Sequence, residues 1–208
     1  GGLAGNYTLD GGTHTASITA RSLTVTATGV SKVYDGLLTA NVIYGDNRVT
    51  GDVLSLGGSA SYLDKNVGIA KPVNVSGIAL TGTDAGNYTF NTTTAATTAD
   101  ITARGLIITA ATNTKRYDGN TSAAATPTIT SGSLAGGDTA LLSEVYDSKI
   151  AGTGKTLTPT AVISDSNGGN NYLVTYVNNT TGVIDPGQIV SGKLDVAGNE
   201  TATGKTVS

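Results

Sequence analysis

Apolar and polar residues alternate along most of the chain. In "SLTVTATG", Leu23, Val25 and Ala27 fall on one side and Ser22, Thr24 and Thr26 on the other, the period of a strand with one buried and one solvated face. "GLIITAAT" from Gly105 repeats the pattern. "KPVNVSGIAL" from Lys71 and "KTLTPTAVIS" from Lys155 predict a second strand pair interrupted by Gly or Pro, and "NYTF" from Asn87 and "NYLVTYV" from Asn171 a third. No segment carries apolar residues at helical spacing over three turns, and "GDTALLSEVYD" from Gly137 comes nearest to a short helical turn. The pattern predicts an all-β protein.

The strands recur. Tyr34 in "SKVYDG" and Tyr117 in "TKRYDG" are 83 residues apart, as are Ile18 in "ITARSL" and Ile101 in "ITARGL". "GIAKPVNV" from Gly68 and "GTGKTLTP" from Gly152, and "GNYTF" from Gly86 and "NNYLV" from Asn170, sit at an offset of 84. "LAGNYTLDGGTHTASITAR" from Leu3 reads like the stretch before Arg104, and "GVIDPGQIV" from Gly182 takes the place of a third such stretch. The predicted organisation is the tail of a preceding module at 1–17, one module at 18–100, a second at 101–186, and a different segment at 187–208. A module of this size without disulfides is near the lower limit for a self-sufficient core, so packing between neighbours is expected. The last segment, "GQIVSGKLDVAGNETATGKTVS", fits the first rung of a β-solenoid, a flexible linker or an edge strand.

Asp-Gly is a tight-turn signal, because glycine accepts positive φ and aspartate can bond the backbone two residues on. A tyrosine just before such a turn lies across a core edge with its hydroxyl tied to a backbone group. Lys32, Tyr34, Asp35 and Gly36, and in the second copy Lys115, Tyr117, Asp118 and Gly119, thus read as a structural signature.

These residues carry a resemblance. Together with Gly51-Asp52 and Gly137-Asp138, the "DKNVGIAKPV" run from Asp64 and "TGTDAGNY" from Thr81, they resemble tandem YDG domains, modules strung together in large bacterial adhesins of the filamentous-haemagglutinin and autotransporter types. The first copy is the better match, since "DSKIAGTGKTL" and "SDSNGGNNY" replace the corresponding runs in the second. The resemblance implies a secreted, cell-surface protein and a stalk or presentation role, and carries over no catalytic residue. Small β-sandwich or β-grasp-like modules arranged end to end are the expected architecture.

Composition agrees with a strand-rich chain. There are 29 Gly, no Cys, Met or Trp, 13% charged residues and a net charge of −3. Disorder would need more charge and fewer β-branched residues. The absence of Cys removes disulfides, thiolate ligands and thiol nucleophiles, and with the Thr, Gly and Asn richness suggests a bacterial surface or secreted protein. The 12 Lys and Arg are scattered singly, without the basic stripe that nucleic acid requires. No apolar run is long enough to span a membrane as a helix.

Little catalytic chemistry is visible. His14 is the single histidine, which excludes the usual zinc and Ser-His or Cys-His systems within this chain. Asp35, Asp52, Asp84, Asp118, Asp138 and Asp165 mostly neighbour Gly or Asn and read as turn residues, and "GTGKT" from Gly152 lacks the full phosphate-loop spacing. No enzyme activity and no cofactor are expected. Calcium is the one ion considered, through Asp84 with Asn87 and Asp165 with Asn167 and Asn170, against the reading of these loops as plain turns. Lys32, Lys115, Lys71 and Lys155 recur at matching places, where a lysine beside Asn or Asp could form an isopeptide crosslink.

Two functions remain. In one, the modules are spacers that hold an adhesive region away from a cell. In the other they grip glycan or matrix themselves, or self-associate through strand edges. Among Tyr44, Tyr62, Tyr146 and Tyr176, the pair Tyr62 and Tyr146 match across the copies, which favours a core role. Tyr44 has no counterpart and is the expected exposed ligand contact.

Overall fold

The computed structural model describes residues 11, 16–187, 189–190, 193–196 and 200–201. Regular structure among them is β, apart from a single 3-10 turn at Ala85–Asn87. His14 and most of the 1–17 tail lie outside the described residues. Among the described residues no helix is long and apolar enough to cross a membrane.

The first module contains β1 (Arg21–Ser22), β2 (Val25–Val30), β3 (Lys32–Val33), β4 (Thr39–Asp46), β5 (Ser55–Tyr62), β6 (Gly68–Thr81), β7 (Tyr88–Thr89) and β8 (Thr94–Thr102). Six of these form one sheet in the order β2-β4-β5-β6-β8-β3, with β1 and β7 paired in parallel beside it. The sheet curls until β2 meets β8. Gly29 donates its amide to the Thr97 hydroxyl at 3.2 Å, and a Cβ at Gly29 would lie 2.4 Å from the Thr98 carbonyl oxygen, so the near-closure depends on that glycine. The module expected as a sandwich or β-grasp-like fold is therefore a near-closed, barrel-like sheet of six strands. The alternation predicted for Ser22–Gly29 supplies its inner face with Val25 and Ala27, while Val73, Val75 and Ile101 are fully buried inside it. Each such side chain contributes roughly 1.5–3 kcal/mol of burial.

The second module repeats this order with β9 (Arg104–Thr109), β10 (Thr114–Arg116), β11 (Thr128–Ser131), β12 (Thr139–Tyr146), β13 (Gly152–Ser164), β14 (Tyr172–Val177) and β15 (Asn179–Asp185). The pairings keep the sequence offset: Arg21 faces Tyr88 as Arg104 faces Tyr172, and Lys32 faces Ile101 as Lys115 faces Ile184. The stretch from Gly137, the nearest approach to a helical turn in the sequence, is largely β12. Ala140, Leu142, Glu144 and Tyr146 all turn inward there at strand period.

This module is a curled half-barrel rather than a near-closed one, and two glycines distinguish the sequences at the point of difference. In the first module an extra residue of β6 opposite Gly57–Ser59 makes a bulge, with Gly77 at φ +62°. Left-handed backbone of this kind suits glycine, and the bulge bends the strand. In the second module Ala161 replaces Gly77 and Leu142 replaces Gly58. β12 and β13 then pair residue for residue without interruption. β11 then lacks the pairing that β4 makes with β5, and the sheet divides between β11 and β12 into β10-β15-β13-β12 and β11-β9-β14.

Beyond the second module, β16 (Ile189–Val190), β17 (Lys193–Val196) and β18 (Glu200–Thr201) form a small antiparallel meander. A solenoid rung would stack in parallel, so of the alternatives for this segment the solenoid is not shown among the described residues.

Candidate functional site

The repeated hexapeptide forms a clasp, built in the same way in both modules. Lys32 Nζ donates to Asp35 Oδ1 at 2.7 Å and to the Leu37 and Thr39 carbonyls at 2.8 and 2.9 Å. Lys115 Nζ donates to Asp118 Oδ1 at 2.9 Å and to the carbonyl and side-chain oxygens of Asn120 at 2.9 and 3.0 Å. Each ammonium also sits 5.4 Å from the ring centre of a core tyrosine, Lys32 over Tyr62 and Lys115 over Tyr146, a favourable cation–ring geometry. The aspartates accept the amides of Leu37 and Asn120, and Gly36 and Gly119 lie at φ +80° and +82°. The Lys115 ammonium holds the Asp118 carboxyl below its ordinary range. Lys71 and Lys155, the other recurring pair, are ion-paired to Asp64 and Asp147 at 2.6 and 3.3 Å.

The two signature tyrosines differ. Tyr34 leaves its own module and packs into the second, only 1% exposed. Its hydroxyl donates to Asp138 Oδ2 at 3.0 Å, and the hydroxyl of Tyr172 donates to the same oxygen at 2.6 Å. The Tyr172 hydroxyl also accepts the Ala135 amide at 2.8 Å. Lys65 supplies a counter-charge 3.6 Å from Asp138 Oδ1. Burial, reinforced by Asp138, pushes the Tyr172 hydroxyl up to about 12. Beside this cluster the fully buried Asn171 accepts the Val67 amide at 3.0 Å and donates to Asn66 Oδ1 at 3.2 Å. One hydrophobic core runs through the joint, joining Tyr34, Tyr62, Val73 and Ile101 to Leu106, Ala135 and Tyr172. Tyr117 is only partly buried, and among the described residues its hydroxyl has no hydrogen-bond partner.

Sequence reasoning placed the signature at turns and missed the joint. The visible signal was the Gly-Asp pair at Gly137-Asp138, a family feature whose partner the sequence does not reveal. Tyr44, expected at the surface, is instead half-buried against the core, and its hydroxyl is enclosed without a hydrogen-bond partner. Gly58 makes room for it, since a Cβ there would come within 2.8 Å of that hydroxyl. Glu144 was missed as well. It is 2% exposed, with one oxygen accepting the Ala111 amide at 2.7 Å and the other unpartnered.

The loops considered for calcium are closed on themselves. Asp165 accepts backbone amides from Asn167 and Gly169 at 2.8 Å and from Asn171 at 3.1 Å. Burial alone would raise its carboxyl, but these amides outweigh it and hold it below the ordinary value. They also aim their positive ends where a cation would sit. Asp84 accepts the Val53 amide at 2.8 Å. Among the described residues no three His, Cys, Asp or Glu side chains gather as a metal site.

An open groove of about 450 Å³ lies between β13 and β14, lined by Ala161, Ile163, Gly169, Asn170, Tyr172 and Tyr176 among others. Tyr176 is 44% exposed there.

A family model described as YDG domain matches residues 19–96 and again residues 102–181, more than half of the chain. No curated protein and no solved structure matches it.

Proposed function

Because the chain belongs to the YDG domain family, with two domains in tandem, we propose that it is a non-catalytic spacer in a secreted bacterial adhesin, holding an adhesive region away from the cell surface. The observation that carries this reading is the joint. Tyr34, Asp138 and Tyr172 continue one core from the first domain into the second, so serial domains are braced against each other rather than hung on a free linker. From compact-domain scaling each adds roughly 30 Å of reach. The adhesin context, the surface location and the absence of catalysis belong to this proposal and rest on the family resemblance, the composition and the structural roles taken by the signature residues.

A second reading is favoured by the Tyr176 groove, because an exposed aromatic ring beside backbone amides and Asn170 is suited to a sugar face. The deciding experiment is binding of the purified chain to a glycan panel and to bacterial and host cells, with and without calcium. Absence of binding in every condition supports the spacer. Saturable binding abolished by Tyr176→Ala makes the domain itself the adhesin.

A further inference from the structure

The contacts that seat Tyr34 in the second domain have a counterpart on the first. Tyr88 donates to Asp52 Oδ2 at 2.5 Å, as Tyr172 does to Asp138. The Val49 amide donates to the Tyr88 hydroxyl at 2.8 Å, as Ala135 does to Tyr172. The Asp52 amide donates to the Val49 carbonyl at 3.1 Å, as Asp138 does to Ala135. What differs is occupancy: Asp138 Oδ2 accepts two tyrosine hydroxyls and Asp52 Oδ2 accepts one.

The surroundings also remain open. Asn87, the counterpart of the fully buried Asn171, is exposed. It lines a cleft of about 280 Å³ with Ile18, Thr19, Ala20 and Gly86. Ile18 is 101% exposed, while its counterpart Ile101 is 1% exposed in the last strand of the barrel that supplies Tyr34. The residues leading to Ile18, "NYTLDGGTHTASI", read in sequence like those leading to Ile101.

We propose that Asp52, Tyr88 and Asn87 form a second copy of the joint, and that its occupant is the signature loop of a further YDG domain, the one to which the sequence ending at Ile18 corresponds. The incoming tyrosine donates to Asp52 Oδ2, the incoming lysine equivalent to Lys65 faces the same carboxylate, and the following loop fills the cleft at Asn87. Val49 and Thr50 replace Ala135 and Gly136 in the socket wall. Val49 is 46% exposed, so its side chain has space to turn aside. The contact does not depend on the spacer reading, since a ligand-binding array would be joined in the same way.

The test joins a copy of residues 18–84 to Ala4 of this chain, so that the residues from Ala4 to Ile18 take the sequence place that Ala85 to Ile101 hold in the first domain. Amide exchange at Val49 is then followed in the two-domain and three-domain chains. Protection at Val49 is expected to rise about tenfold in the longer chain, and to return to its two-domain value when the added copy carries Tyr34→Phe. Asp52→Asn is expected to lower the thermal midpoint of the three-domain chain more than that of the two-domain chain. The proposal is overturned if the added domain folds without changing Val49 exchange. It is equally overturned if that domain stays unfolded, because the stretch ending at Ile18 was to complete it.

Discussion

Tyr34 and Tyr172 come from different domains, meet edge to face with ring centres 5.5 Å apart at 79°, and share one oxygen of Asp138. The two rings and the carboxylate brace each other, because each hydroxyl satisfies an acceptor that burial has cut off from water.

Asp138→Ala leaves both hydroxyls without their acceptor inside a buried contact. A lost partner of this kind costs about 1–3 kcal/mol. Denaturant unfolding is expected to separate into two transitions in the variant, read by probes placed in each domain. A single unchanged transition would show that the domains are coupled by the apolar contacts alone.

Alkaline pH should weaken the same joint. The Tyr172 hydroxyl is pushed up to about 12 in the folded chain, chiefly by burial and then by Asp138, while an unfolded tyrosine releases its proton near about 10. The neutral hydroxyl is therefore favoured by folding. Its contribution is whole below about pH 10, declines as the pH climbs toward about 12, and is then gone. Urea midpoints measured across this window should fall in the wild type, and Tyr172→Phe should flatten that part of the fall.

The Lys115 clasp makes a prediction at the acid end. Lys115→Met removes three hydrogen bonds and the charge over Tyr146, and is expected to destabilise the second domain by about 1–3 kcal/mol. Hydrogen bonding from Lys115 lowers the Asp118 carboxyl, so its share of stability is present above the ordinary carboxylate pKa and is lost as pH falls through the lowered one. The variant should show a smaller loss of stability between neutral and acid pH than the wild type. Thermal midpoints at a series of pH values would decide it.

Gly77→Ala tests why one domain curls nearly closed and the other does not. A Cβ there meets nothing within 4 Å, so the expected penalty, about 1–2 kcal/mol, is the backbone strain of an alanine at φ +62°. The bulge is expected to relax toward the regular pairing of β12 and β13. Exchange of the Ile78 amide, which bonds the Thr93 carbonyl at 3.0 Å, should then accelerate.

Much of this architecture was legible because strand alternation is a local property. Leu23, Val25 and Ala27 mark an inner face with no knowledge of the rest of the chain, and the offset between Tyr34 and Tyr117 carries the same reading to the second domain. The joint was not legible, because Tyr34 and Asp138 are 104 residues apart and each looks like an ordinary turn residue beside glycine. The difference between the barrels was also hidden, since it depends on whether Gly77 takes a left-handed conformation. The stretch from Gly137 was ambiguous because Leu142 and Tyr146, four residues apart, share one face of a helical turn as well as of a strand, and only pairing with β13 separates the two.

Tyr44 provides the clearest test of what exposure inferred from sequence is worth. A tyrosine without a counterpart in the second copy resembles a ligand contact, yet its ring packs on the core and its enclosed hydroxyl lacks a partner. An unsatisfied buried hydroxyl is destabilising, so removing it while keeping the ring should be neutral or should stabilise by about 1 kcal/mol. Tyr44→Phe is accordingly expected to hold or raise the thermal midpoint. Tyr44→Ala should lower the midpoint, at a cost in stability of about 1–3 kcal/mol for the apolar contact of a half-buried ring. If Tyr44→Phe instead lowered the midpoint sharply, the hydroxyl would have to be satisfied in solution, and its place against Gly58 would have to be revised.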